Sequence, residues 1–376
     1  MKDIFKGFYR KSDSEIKKIW DNCIITFDAN VLLNLYRYSP NTQTELLKII
    51  EKFSDKIWLT HQACLEYHRN RSEVISEQEK VYNTFRTDIE QIENNLSNLN
   101  KPPFLSKKLH SKLKKVFSDV KVEVDENKKS LSNMITKDKI YDKVNLLFTG
   151  KIGLQLSEQS TTQILKEGEQ RYKSKIPPGY EDNKKEDISK YGDLLMWKQI
   201  IEHSKTCKKP IIFITDEQKK DWWWKLRNGK IIGPRQELIE ELWKEAKMDF
   251  LMYSSERFLT YGSELLEETL NKQAVNEIVE RQKIRRKIIK KPIVLNKNSI
   301  SFEIHSLARQ IQNKMLYSDH ITNKINSLKH TKELLSDEEI KTLQRLKDER
   351  KELGNHIKKL IQEQENIALQ NYSNNR

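Results

Sequence analysis

Three cysteines, Cys23, Cys64 and Cys207, are too few and too scattered in 376 residues for a disulfide framework or a thiolate metal site. Ten glycines and eight prolines exclude collagen-like and low-complexity chains and leave room for long helices. No stretch approaches the ~18 uncharged apolar residues of a membrane span, and the charged N-terminus carries no hydrophobic run. The hydrophobic set is thin at 36%, against 33% charged residues. These shortages point to a soluble, cytoplasmic protein with no membrane partner. What is plentiful is positive charge. Lys and Arg number 69 against 55 acids, a net +14, so polyanions are the first partner class to consider.

The length is well above the ~150 residues of a typical domain and implies two units. The first, 1–262, starts as mixed α/β. Ser12 with Glu15 forms a capping-box pattern ahead of a short helix. Cys23-Ile24-Ile25-Thr26-Phe27, Lys56-Ile57-Trp58-Leu59-Thr60 and Pro210-Ile211-Ile212-Phe213-Ile214-Thr215 are apolar runs of strand length, the pattern of strands buried on both faces. A fourth strand is expected over Asp249 to Tyr253, and Gly233-Pro234 is expected to open a helix. Helices between strands, without hairpin signals, predict parallel pairing in an α/β sheet of four to five strands. From about 72 to 187 the texture becomes lysine-rich amphipathic helix broken at Pro102-Pro103, a helical insertion.

The second unit, 263–376, reads as all-helical. Ser336 with Glu339 is another capping box. Leu343, Leu346, Leu353, Ile357, Leu360 and Ile367 follow three-four spacing, interrupted by Arg350 and Gln364. They predict a coiled-coil-like hairpin over about 301–370, paired with a helix around Leu307, Ile311, Ile325 and Leu328. Its expected role is self-association or docking of a protein partner.

In an open parallel sheet, ligands bind outside the carboxyl ends of the strands. Asp28 and Asp216 each follow directly on an apolar strand. Glu66 lies on the helix after the second strand, Asp193 opens the helix before the third, and Asp221 lies just beyond Asp216. A doubly wound fold can bring these carboxylates together. Such a cluster repels itself unless cations sit in it. Hard oxygen donors without a competing His/Cys set select Mg2+ or Mn2+.

Phe27-Asp28-Ala29-Asn30-Val31-Leu32-Leu33 resembles the first motif of PIN-like nuclease domains. Leu65-Glu66-Tyr67 with Arg69-Asn70-Arg71, then Tyr191-Gly192-Asp193, then Ile214-Thr215-Asp216 with Asp221-Trp222-Trp223 resemble later motifs of a bacterial PIN-like subgroup that carries a helical insertion. The resemblance spans roughly 5–262. It implies a doubly wound, metal-dependent endoribonuclease with Asp28, Glu66, Asp193 and Asp216 as catalytic acids and metal ligands, and Asp221 as an additional ligand. It also implies a toxin-like or anti-phage role, sometimes beside an ATPase partner. RNA is favoured over DNA as substrate. A structure-selective DNA nuclease and an inactive partner-binding module are the rival readings.

The same residues have plain structural readings. Asp after a strand is common turn chemistry. Glu66 and Arg69 can pair along one helix face, and Asp193 suits a helix N-terminus. Arg69, Arg71, Lys219 and Lys220 are candidates for holding phosphate, as is the basic run containing Arg285, Arg286 and Lys287; a solvated surface is the alternative for each. Trp222-Trp223-Trp224 offers either a stacking platform for bases or core packing.

Overall fold

The computed structural model describes residues 1, 5–97, 105–185, 188–290, 311, 314–315, 317–318, 321–322, 325 and 337–374. The chain divides into two compact units, Met1–Lys287 and Ile288–Arg376.

The first unit is built on a parallel sheet. Among the described residues, β1 (Ile24–Phe27), β2 (Ile57–Trp58), β3 (Ile211–Ile214) and β6 (Phe250–Tyr253) lie in the order β2-β1-β3-β6. β4 (Trp223–Lys225) and β5 (Ile231–Pro234) form a separate antiparallel pair. β1 pairs residue for residue with β3, Ile24 opposite Ile211 and Phe27 opposite Ile214. Every residue of β3 is buried, as its unbroken apolar run predicts for a strand covered on both faces. Phe27 meets Phe148 and Phe258 edge-on, tying β1 to two helices that come much later in the chain.

α1 (Asp13–Asp21) opens with the expected capping box: Ser12 accepts from the Glu15 amide, and the Glu15 carboxylate accepts from the Ser12 amide. α2 (Ala29–Asn34) and α3 (Pro40–Lys52) link β1 to β2. The insertion begins inside α4 (His61–Ser97), which returns antiparallel as α5 (Lys107–Asn133). Arg86 pairs with Asp125, and Lys121 pairs with Glu93 at 2.6 Å, pinning that return. The Pro102-Pro103 break lies outside the described residues. α6 (Lys139–Phe148) then brings Ile140, Val144, Leu147 and Phe148 into the main core, and α7 (Glu158–Lys173) follows.

Two expectations are corrected. Gly233-Pro234 does not open a helix; it lies in β5, and α9 (Gln236–Ala246) starts only after the Arg235 amide has bonded to the Trp222 carbonyl at 2.9 Å. That cross-strand bond keeps the chain extended past the proline. The first unit also runs beyond 262. After α8 (Gly192–Cys207) and α10 (Ser255–Leu265), α11 (Lys272–Lys290) inserts fully buried Ala274 and Ile278 into the same core. Glu277 accepts from the Ser39 amide and hydroxyl and from the Thr42 hydroxyl, each at 2.6 Å.

In the second unit a single helix, Asp337–Asn374, carries the apolar seam. Ile357 and Leu360 are buried with Ile311, and Leu353 and Ile361 pack against them. The Tyr317 hydroxyl donates to Glu349 at 2.8 Å. Leu307, Leu328, Ser336 and the Ile367 side chain lie outside the described residues. Among the described residues no helix is long and apolar enough to cross a membrane.

Candidate active site

Strand order decides where the site lies. The chain leaves β1 toward β2 on one side, and β3 joins on the other, so the topological switch falls between β1 and β3. Asp28 and Asp216 stand at that point, and the Asp28 amide bonds to the Ile214 carbonyl at 2.9 Å. Asp28 caps α2, accepting from the Asn30 amide, while the Asn30 side-chain amide donates to its other oxygen at 2.6 Å. The Thr215 hydroxyl donates to the same oxygen at 2.7 Å. Asn30 also accepts from the Asp216 amide at 3.0 Å, so one asparagine joins both strand ends.

Glu66 comes from the second turn of α4, and the Gln62 side chain donates to it at 2.7 Å. Asp193 sits in the first turn of α8, oriented by the Trp222 indole N–H at 3.2 Å. Gly192 separates these two acids. A Cβ there would come within 2.7 Å of the Glu66 Oε1, so the missing side chain is what lets Glu66 approach the start of α8.

Two further acids, not anticipated from the sequence, complete the cluster. Glu217 follows Asp216, and its field reaches both Asp28 and Asp193. Asp182 comes from the turn after Gly179 and shares the Lys219 ammonium with Asp193, at 2.9 and 3.2 Å respectively. The signals were present: an acidic doublet at a strand end, and an acidic pair after Pro177-Pro178-Gly179. Gly179 is required by its left-handed backbone (φ 96°) and by Tyr172, whose hydroxyl a Cβ would overlap.

Two of the predicted acids are held by hydrogen-bond donors. The Asp216 carboxylate is buried among donors: the Ser255 amide at 3.0 Å and hydroxyl at 2.8 Å, Asn34 at 2.9 Å and Gln282 at 3.0 Å. It sits at the N-terminus of α10, where backbone N–H groups favour an anion. Asp221 is fully buried, and one of its oxygens accepts from the amides of Gly179 and Glu181, both at 3.0 Å. It thereby holds the turn that presents Asp182.

Burial, with Asp193, Glu66 and Glu217 adding repulsion, pushes Asp28 up to about 7. Glu66 and Asp193 are raised for the same first reason, burial. Asp221 is pushed up to about 6 by burial. Burial opposes the Lys219 charge, but Asp193, Glu217 and Asp182 outweigh it and hold the ammonium above its ordinary range. Burial would raise Asp182 too, yet Lys219 and Lys185 keep it low.

Compared with known families, residues 24–238, more than half of the chain, match the family described as PIN like domain. The chain belongs to the PIN-like domain family. Comparisons with curated proteins and with solved structures find no match. The PIN-like match covers β1 through the start of α9, and so every acid of the cluster. PIN-like domains are usually nucleases, act on nucleic acid and typically use divalent metals.

The donor set of this PIN-like site fits a hard divalent cation in its chemistry. It consists of mutually repelling carboxylates, Asp28 buried and Glu66, Asp193 and Glu217 half-buried, with Glu66 seated against Gly192. As they stand, however, no three His, Cys, Asp or Glu side chains among the described residues are gathered closely enough to hold an ion. Asp193 faces the Lys219 ammonium instead.

The predicted phosphate-binding residues fare differently from one another. Arg69 is exposed on α4. Arg71 instead clamps the insertion: it pairs with Asp138 at 2.5 Å, and Asp138 also accepts from the Tyr36 hydroxyl at 2.7 Å. Lys219 is turned into the acids, whereas Lys220 is 64% exposed and 3.2 Å from Glu181. The side chains of Arg285, Arg286 and Lys287 lie outside the described residues. Trp222 and Trp223 are core residues, and Trp224 packs edge-on against Phe8, so the tryptophan run is mainly packing.

Proposed function

We propose that this PIN-like protein is a metal-dependent endonuclease that hydrolyses RNA phosphodiesters, using Mg2+ or Mn2+ held by Asp28, Glu66 and Asp193. The observation that carries this reading is the place of Asp28 at the β1–β3 switch point, buried and within the electrostatic reach of Glu66, Asp193 and Glu217. A bound divalent ion would supply charge neutralisation and an activated water. The chain's own residues supply orientation. Asn30 and Thr215 fix the Asp28 carboxylate, Gln62 aims Glu66, and Trp222 aims Asp193. Asp216 organises the strand end rather than facing the cluster, and Asp221 supports the turn bearing Asp182. The net +14 charge favours a polyanion, and Arg69, Lys220 and the Arg285-Arg286-Lys287 run are its candidate phosphate contacts.

RNA, rather than DNA, and a toxin-like or anti-phage role rest on the motif resemblance. An ATPase or other partner docked through the C-terminal helices rests on the same resemblance and on the seam. One observation favours a second reading, an inactive module that serves as a scaffold: no three carboxylates close around a common point. A single assay separates these. Purified protein is incubated with labelled single-stranded RNA, tRNA, single-stranded DNA and duplex DNA, in Mg2+, Mn2+ or chelator. Internal cleavage of RNA that chelator stops is expected. Cleavage of DNA alone would move the substrate to the rival class, and no cleavage of any substrate would support the inactive module.

A further inference from the structure

Lys219 was a candidate for binding phosphate from outside the site. Its ammonium stands within the acid cluster instead, 2.9 Å from Asp182, 3.2 Å from Asp193 and 3.7 Å from Glu217. Three carboxylates from three separate stretches of chain therefore surround one side-chain cation. Lysine suits the task because its charge is a compact point on a long stem, able to reach several oxygens without the planar demands of arginine.

The place is built from both sides. On the lysine's own loop, Glu217 accepts from the amides of Gln218 at 2.6 Å and Lys219 at 3.2 Å. The Lys219 carbonyl accepts from the amides of Trp222 and Trp223 at 3.4 and 3.3 Å. Opposite, Asp221 fixes the turn that carries Asp182, and the Trp222 indole fixes Asp193. Exposed Lys185 also reaches Asp182, at 2.9 Å.

The ion pairs of the cluster fall on one side, though the fields of Lys219 and Lys185 reach Glu66 as well. Asp182, Asp193 and Glu217 share the ammonium. Among the described residues, Asp28 and Glu66 have hydrogen-bond donors, and no Lys, Arg or His forms an ion pair with either. Accordingly, we propose that Lys219 is a resident cation that takes the place of a second metal ion, leaving the site to bind one divalent ion on its Asp28–Glu66 side. This rests on the metal-site reading above. It makes Lys219 a positioning residue: its ammonium fills the place between Asp182, Asp193 and Glu217 and so limits the number of ions admitted.

The test is manganese binding to the full chain, followed by isothermal titration with MnCl2, for the wild type, Lys219→Met and Lys219→Arg. Thermal unfolding in chelator and in MnCl2 is measured alongside. Expected are one Mn2+ per wild-type chain and one for Lys219→Arg. Lys219→Met should take a second Mn2+ or bind the first about tenfold more tightly, since removing one nearby positive charge relieves repulsion of that order. It should also melt lower than wild type in chelator and recover in MnCl2. Two Mn2+ in the wild type, or an unchanged isotherm in Lys219→Met, would overturn the inference. If Lys219→Met is unfolded in chelator, refolding by MnCl2 but not by NaCl of equal ionic strength supports it, and refolding by neither overturns it. The two readings fail separately. No Mn2+ in wild type but binding in Lys219→Met removes the proposed activity and keeps the resident cation; no binding in either removes both.

Discussion

The ends of β1 and β3 carry the same sequence pattern, an unbroken apolar strand followed by Asp, and the fold uses them in opposite ways. Asp28, held by Asn30 and Thr215, lies in the field of Asp193, Glu66 and Glu217 and is pushed up to about 7 by burial and their repulsion. Asp216 faces Ser255, Asn34 and Gln282, all of them donors. Its neighbour Glu217 takes the cluster side, consistent with successive residues of an extended segment pointing to opposite faces. The lesson is that a strand-end acid locates a site only to within one residue.

The sharpest way to break this comparison is to neutralise each acid in turn. Asp28→Asn is expected to cut RNA cleavage by about two to three orders of magnitude, the scale on which removing one pre-organised electrostatic group acts, with its fold intact. Asp216→Asn should leave appreciable cleavage in the folded fraction while lowering the melting temperature. Equal loss of activity at unchanged stability would erase the distinction and restore Asp216 to the metal site.

Next in size is the support behind Asp216. A chain ending at Gly262 lacks Ala274, Ile278 and Gln282, and should melt at least ~10 °C below one ending at Lys287. Two buried apolar side chains and several buried hydrogen bonds together amount to several kcal/mol, at about 2–4 °C per kcal/mol for a unit of this size. Calorimetry on the two truncations measures it; equal melting would detach α11 from the core.

The third prediction follows from the sign of the Asp28 shift. A carboxylate with a folded-state value of about 7, against 3.8 for the free group, carries no penalty below pH ~4 and its full penalty above pH ~7. In chelator, Asp28→Asn should therefore melt a few degrees above wild type at pH 8, and the gap should close as pH falls toward 4. A gap that widens on acidification would contradict the repulsion assigned to the cluster.

The smallest effect contrasts the two adjacent lysines. Lys220→Gln, at a largely exposed ion pair with Glu181, should change stability by no more than ~0.5 kcal/mol. If Lys220 touches RNA, the same change reduces the slope of log affinity against log salt by roughly 0.7. A large loss of stability would show that the pairing with Glu181 holds the turn bearing Asp182.

How much of this was legible in the sequence follows from the range of each interaction. The four strands of the parallel sheet were, because burial on both faces demands consecutive apolar residues, which Ile211–Ile214 supply. The cap at Ser12 and the positions of Asp28, Glu66 and Asp193 were also legible, since each depends on an element boundary marked by nearby residues. The start of α9 was misread because the bond from Arg235 to the Trp222 carbonyl overrode the local helix signal of Gly233-Pro234. Arg71 reads as one more surface arginine until Asp138, in the insertion, arrives beside it.

By itself, then, the chain's order of residues determined a parallel α/β body with a helical insertion, a basic surface and a short roster of acids. Only the tertiary structure brought Glu217 within the field of Asp28, set the Asp216 carboxylate among donors from α10 and α11, and turned Lys219 toward Asp182 and Asp193. Local patterns reflect burial and backbone geometry over a few residues. The partners of a charge come from α4, α8, the Gly179 turn and the loop after β3, and electrostatic energy depends on their separation in space, which strand order and packing set.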